Sequence, residues 1–348
     1  MRRSIMVAAI ATVLTVSLLP ADAATNDPYF AKQWGLTKIQ AEQAWPTADG
    51  TGALVAVVDT GVDLGHPDLA SKLVVFNDAD FSEPNGTCTG GKAKVCTQDG
   101  PQDKNGHGTH VAGIVGAITG NGVGVAGTAP GAKILPVRVL DAGGSGTTGQ
   151  IAAGIRYAAD KGAKVINLSL GFQSGLDQVA KLTGQVAPVY SAIDYAWSKG
   201  AVIVTAAGND TVPICAEPSG HPKVICVGAT DVRDLRTYYS NGDATTTSPF
   251  MVAPGGAGLD CAGEIFSTVL RTIATYCNGG VKGYDGYAGT SMAAPHVAGV
   301  AALLAGKGLA NSAIVSRIFS TTDDLGVPGR DSLYGYGRVN AAKAVAGL

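Results

Sequence analysis

Six short runs rich in Val, Ile and other apolar residues, at 53–58, 134–139, 164–168, 201–205, 224–227 and 250–253, recur along this 348-residue chain. They are continuously apolar, as strands buried on both faces must be, and helix-like stretches at 148–160 and 186–198 lie between them. Further helices are predicted to begin near His107 and Thr290. Strands alternating with helices predict a mainly parallel sheet covered on both faces, an α/β three-layer sandwich. No charge run, proline-rich linker or fixed-period repeat divides the chain, and its 49 glycines are spread through it as turn punctuation. Residues 24–348 are therefore expected to form a single domain.

Composition allows a large core, at 46% hydrophobic and 15% charged residues, and the net charge of -2 gives no electrostatic case for nucleic acid. The N-terminus has Arg2 and Arg3, an apolar run at 5–19 and then Ala21-Asp22-Ala23. This is the layout of a secretory signal peptide over 1–23, too short for a comfortable membrane span, with a retained anchor as the alternative. A secreted protein free of the membrane is expected. All six cysteines follow, at 88, 96, 215, 226, 261 and 277. An even number in an exported chain favours disulfides, and pairing within Cys88/Cys96, Cys215/Cys226 and Cys261/Cys277 would staple three local loops at ~2–3 kcal/mol each. Buried free thiols are the alternative.

In open α/β sheets chemistry sits beyond the carboxyl ends of the strands. Asp59 stands there in V-V-D-T-G at 57–61, and Asn209 follows the fourth run in A-A-G-N. His107 opens H-G-T-H-V-A-G, and Ser291 lies in G-T-S-M-A-A-P-H-V-A-G at 289–299. Asp, His and Ser together can turn a hydroxyl into an acyl-transfer nucleophile: His107 takes the proton of Ser291, and Asp59 fixes the imidazole tautomer. A predicted helix start at Ser291 favours developing negative charge, and Pro295 would be tolerated in its first turn. His110 and His296 read as structural. A lone D-T-G is also found in aspartic peptidases, but those need two copies, and this chain has one.

The order Asp, His, Ser is the subtilisin order, and the motif segments resemble those of the subtilisin-like serine peptidases, the subtilases. Similarity to the thermitase-like branch adds N-D-P-Y-F at 26–30, G-V-A-G-T-A-P at 124–130 and G-R-V-N-A at 337–341, covering almost the whole chain from Asn26. The resemblance implies an Asp59–His107–Ser291 triad with Asn209 completing the oxyanion site. It implies that an extended protein or peptide substrate lies between 143–146 (Gly143, Gly144, Ser145, Gly146) and 168–171 (with Ser169, Leu170, Gly171), held by main-chain hydrogen bonds. The pocket before the cleaved bond would be walled by Ala206, Ala207, Gly208 and the 215–218 segment with Ala216 and Glu217. Apolar or aromatic residues suit such a wall; Asp210 and Glu217 either extend tolerance to Lys and Arg or are solvated rim charges.

Likewise by resemblance, a structural Ca²⁺ is expected on Asp27, Asp68, Asn121 and the carbonyls of Ile118, Val123 and Val125, with no organic cofactor and a monomeric protein. The segment 83–103 is longer than the family pattern, so the usual second metal site would have to be rebuilt from Asp99 and Asp103. No inhibitory pro-domain is recognisable between the signal peptide and N-D-P-Y-F. A peptide-binding protein that kept the groove without the chemistry is the competing reading.

Overall fold

The protein is described by a computed structural model covering residues 25–82, 100–171, 177–244 and 248–348. The expected signal peptide at 1–23, Cys88, Cys96 and Asp99 lie outside these residues. Each of the six apolar runs is a strand, within about a residue of its predicted ends except that the fifth runs three residues further: β1 Leu54–Asp59, β2 Lys133–Arg138, β3 Val165–Leu168, β4 Val202–Ala206, β5 Val224–Thr230 and β6 Phe250–Pro254. All pair in parallel, in the order β2-β1-β3-β4-β5-β6. A separate antiparallel hairpin, β7 Ile265–Thr268 and β8 Tyr284–Tyr287, was not expected, because four-residue runs of mixed polarity carry little periodic signal. The helices are α1 Trp34–Lys38, α2 Ala41–Ala44, α3 His107–Gly116, α4 Thr148–Asp160, α5 Asp177–Leu182, α6 Ala187–Ser198, α7 Thr290–Gly306, α8 Asn311–Ser320 and α9 Ala341–Val345.

Strand β1 shows why the runs are continuously apolar. Val55 and Val57 enter a core shared with Val111 and Ile114 of α3 and Val297 and Leu303 of α7. Ala56 and Val58 enter another, shared with Ile151 and Ile155 of α4 and Ile193 of α6. Side chains alternate across a strand, so both sets must be apolar when helices cover both faces. Full burial of each valine or isoleucine contributes ~1.5–3 kcal/mol. The result is the expected three-layer α/β sandwich, with β1 flanked by strands on opposite sides at the point where the strand order reverses.

Local signals fix the helices that carry the site. Helix α4 starts on a capping box: Gln150 N–H donates to Thr147 Oγ1 at 3.3 Å, and Thr147 N–H donates to Gln150 Oε1 at 2.7 Å. Helix α7 runs under the sheet and is buried almost all round. One sequence expectation is corrected there. Pro295 is the sixth residue of α7, not part of the first turn, so its ring removes an N–H that an unbroken helix would donate to the carbonyl of Ser291. Two predicted disulfides are present, Cys215–Cys226, which ties the loop after β4 to β5, and Cys261–Cys277, which ties the segment before β7 to the connection between β7 and β8. Among the described residues no helix is long and apolar enough to cross a membrane.

Candidate active site

Asp59 closes β1 and is fully buried, while His107, the first residue of α3, is half-buried with 28% of its side chain exposed. The His107 Nδ1–H donates to Asp59 Oδ1 at 2.8 Å, and Thr60 N–H donates to the same oxygen at 2.7 Å. The neutral tautomer with its proton on Nδ1 leaves Nε2 as an acceptor at the exposed edge of the ring. Burial lowers the imidazole pKa, but the charge of Asp59 and its hydrogen bond outweigh this, so the net shift is upward from 6.5.

The close approach of α3 to β1 depends on the glycine after the histidine. A Cβ on Gly108 would lie 2.2 Å from the Gly61 carbonyl oxygen and 3.1 Å from Asp59 Oδ1. Asp103 organises the start of that helix. Its carboxylate accepts from the N–H groups of Asn105, Gly106 and Thr109 and from Thr109 Oγ1. Asp103, one of the two carboxylates from which a second metal site would have to be rebuilt, is thus engaged by the start of α3, where N–H groups lack intrahelical partners. Sequence reasoning missed this capping role, although an Asp just ahead of a predicted helix start was its signal.

Ser291 is the second residue of α7 and Asn209 follows β4. Asn209 Oδ1 accepts from both the N–H and the hydroxyl of Thr290 at 3.0 Å, and among the described residues its NH₂ has no hydrogen-bond acceptor. That NH₂ lies beside Gly289. A Cβ there would lie 3.6 Å from Asn209 Nδ2 and 3.6 Å from the Ser291 nitrogen, so two N–H donors converge on one spot that a side chain would fill. Its φ of 154° also favours glycine. His107, Asn209 and Ser291 line one open cavity, together with Met292 and the Cys261–Cys277 loop. The Ser291 hydroxyl donates to the Ser169 carbonyl at 3.3 Å and, among the described residues, makes no hydrogen bond to His107. Such bonds are commonly loose without substrate.

His107 also ends a second cavity of ≈460 Å³. Gly144, Ser145 and Gly146 line it together with Ser169, Leu170 and Gly171, the two segments between which the resemblance expects an extended peptide. Gly143 sits in the same turn, its N–H donating to Asp141 Oδ1. The apolar floor of Leu140, Ile151 and Val189 was not foreseen, since it assembles from three separate elements. Ala206 and Ala207 are buried, Ala216 N–H donates to the Ala207 carbonyl at 2.7 Å, and a Cβ on Gly208 would lie 2.9 Å from that of Ala216. Gly171 faces Ala216 and the Glu217 carbonyl from the other side. Glu217 is not a solvated rim charge: it is 2% exposed, accepts from Tyr190 OH at 2.5 Å and pairs with Lys181 at 3.1 Å.

The expected metal residues also come together. Asp27 accepts from Gly120 and Asn121 N–H, and Asp68 accepts from Asn121 Nδ2 and from Val125 N–H, both at 2.8 Å. Val123 N–H donates to Asn121 Oδ1, and Ile118 N–H to the Asp68 carbonyl. Burial, with the charge of Asp27 added, pushes the Asp68 carboxyl up to about 6 despite these bonds. Among the described residues neither carboxylate has a Lys or Arg partner. Two buried carboxylates beside the Asn121 side chain supply hard oxygen donors of the kind a hard cation takes.

A hydrolase class is thus outlined by sheet, groove and polar cluster, and comparison with known proteins narrows it. The profile of the subtilase family matches residues 50–337, and the chain belongs to that family of subtilisin-type serine peptidases. It is 44% identical to thermitase of Thermoactinomyces vulgaris, over 92% of this chain and 98% of that one, which puts it among the thermitase-like members. It is 39% identical to the thermophilic serine proteinase of Bacillus sp. (strain AK1), over 92% of this chain and 69% of that protein. The solved structure of a protease from Pseudoalteromonas arctica PAMC 21717 superposes with a TM-score of 0.73 at 34% identity, covering 93% of this chain and 99% of that one.

Proposed function

We propose that this chain is a secreted endopeptidase in which Asp59, His107 and Ser291 form the catalytic triad and Asn209, with the Ser291 N–H, the oxyanion site. The observation that carries the reading is the 2.8 Å Asp59–His107 bond at a cavity shared with Ser291 and Asn209. Ser291 Oγ attacks the scissile carbonyl while His107 Nε2 takes its proton. His107 returns that proton to the leaving amine as the C–N bond breaks. Water, deprotonated by the same imidazole, then hydrolyses the acyl-enzyme. Asn209 Nδ2 and the Ser291 N–H, which both lie beside Gly289, donate to the oxyanion.

A serine-directed phosphonofluoridate should label the protein once, at Ser291, with loss of fluoride and of activity. Absence of labelling in folded protein would favour the peptide-binding reading. Asn209→Ala is expected to lower kcat by about 10²–10³, the scale measured for this position in subtilisin, with KM little changed. Steady-state kinetics on a peptide amide check it, and an unchanged kcat removes Asn209 from the oxyanion site. For the residue before the cleaved bond we propose an apolar or aromatic preference. The walls at 206–208 and 216 are small and apolar, and Glu217 already faces Lys181.

We further propose a structural Ca²⁺ held by Asp27, Asp68 and Asn121 and by the carbonyls of Ile118, Val123 and Val125, tying the N-terminal segment to the body. Bound Ca²⁺ would neutralise the two buried carboxylates. A ligand at 100 times its Kd stabilises the folded state by ~2.7 kcal/mol, which in a domain of this size moves Tm by on the order of 5 °C. Chelator should therefore lower Tm, and Asp68→Asn should remove the response to chelator. An unmoved Tm would dismiss the site.

A further inference from the structure

We propose that the Ser169 hydroxyl is a positioning residue for the nucleophile, supplying the hydrogen bond that Pro295 withholds from the backbone carbonyl of Ser291. The inference rests on the assignment of Ser291 as nucleophile. In an uninterrupted α7, the carbonyl of Ser291 would accept from the N–H of residue 295, and proline has none. Ser169 Oγ donates to that same carbonyl at 2.8 Å. The hydroxyl has one proton to give, and its direction is set from behind: Asn167 Nδ2 donates to Ser169 Oγ at 2.9 Å, so the lone pair is used there and the proton goes to Ser291. Asn167 is fully buried in β3 and Ser169 is 3% exposed just beyond it, so neither group exchanges this arrangement for water.

The contact is reciprocal, since Ser291 Oγ donates back to the Ser169 carbonyl at 3.3 Å. The first turns of α7 are thus clasped to the end of β3 by two hydrogen bonds between the same two residues. Through the carbonyl bond, Ser169 restrains the peptide plane after Ser291 and with it the Cα that carries Oγ. A proline one turn beyond the nucleophile frees the carbonyl, and a serine on the substrate-groove strand takes it. The helix is thereby referenced to the groove rather than only to its own next turn. Ser169 Oγ does not touch the reacting atoms in this scheme.

A double-mutant cycle tests this, because alanine at 295 would return the missing N–H. Ser169→Ala alone is expected to lower kcat and the rate of phosphonofluoridate labelling by about 10-fold or more, since small misplacements of reacting groups are costly, with KM within about twofold. Ser169→Thr, which keeps the hydroxyl, should retain most of the rate. In the Pro295→Ala background the further loss on adding Ser169→Ala should shrink to less than about twofold. Rates are taken per active site, counted by labelling, so a partly unfolded preparation does not count as a loss. Equal losses in both backgrounds, or none in the first, overturn the inference. Failure to label Ser291 in the unaltered protein would instead remove the nucleophile assignment on which it rests.

Discussion

Replacement of Ser291 by alanine is expected to lower kcat by about 10⁶, the scale found for loss of the nucleophile in subtilisin, while leaving KM and Tm nearly unchanged. The small stability effect follows from the surroundings. Among the described residues the hydroxyl makes one long bond, to the Ser169 carbonyl, and its side chain is half-exposed at the groove rather than packed in the core. Of the bonds that hold α7 in place only this long one is removed: Thr290 keeps its bonds to Asn209, and the Ser169 hydroxyl keeps the Ser291 carbonyl, which is backbone. The groove would still bind peptide, so KM is spared. The surviving rate would be that of water attacking a bound carbonyl near the oxyanion donors, ~10³–10⁴ above the uncatalysed reaction. Single-turnover cleavage of a peptide amide, with thermal unfolding in parallel, decides the matter. Retention of more than a thousandth of kcat would mean that another group is the nucleophile.

Legibility in the sequence followed locality. The six parallel strands could be read because burial on both faces leaves continuous apolar runs, and β1 shows both faces in use at Val55 and Val57 against Ala56 and Val58. Asp59, His107, Asn209 and Ser291 could be named as candidates, and as neighbours at one cavity apart from the buried Asp59, because each lies at or just beyond a strand end or at a helix start inside a distinctive short segment. The parts missed are those made by juxtaposition. Leu140, Ile151 and Val189 share a groove floor only after β2, α4 and α6 have packed, and nothing local marks them as neighbours. Glu217 appeared to belong to a polar rim, yet its burial depends on Tyr190 and Lys181, which are distant in sequence. Pro295 was placed a turn too early because its cost is settled by a partner at Ser169, 122 residues away along the chain from the carbonyl it affects.

Substitution of Asp59 separates two jobs that one oxygen performs. Its Oδ1 accepts from Thr60 N–H and from His107 Nδ1–H, whereas Oδ2 is buried with no hydrogen-bond partner among the described residues. Asp59→Ala removes both tautomer control and charge, and kcat is expected to fall by about 3 × 10⁴, the subtilisin scale for this position. In Asp59→Asn the amide oxygen is required at the Oδ1 position, because the opposite orientation would set NH₂ against the Thr60 N–H. The His107 tautomer with its proton on Nδ1 is then retained, and what is lost is the negative charge that stabilises the imidazolium. Asn is accordingly expected to keep at least about 10-fold more kcat than Ala, although its NH₂ occupies the buried Oδ2 position at ~1–3 kcal/mol of stability. The pH profile supplies the second readout. Catalysis needs neutral His107, so the native enzyme should lose kcat/KM as pH falls through a value above 6.5, the direction in which Asp59 moves the imidazole. With the carboxylate gone the burial that lowers the pKa acts without its main opponent, and the acid limb of Asp59→Asn should move to lower pH. An acid limb left in place in both variants would show that Asp59 does not set the charge state of His107; equal kcat in Asn and Ala would show that the charge, and not the tautomer, carries its whole effect.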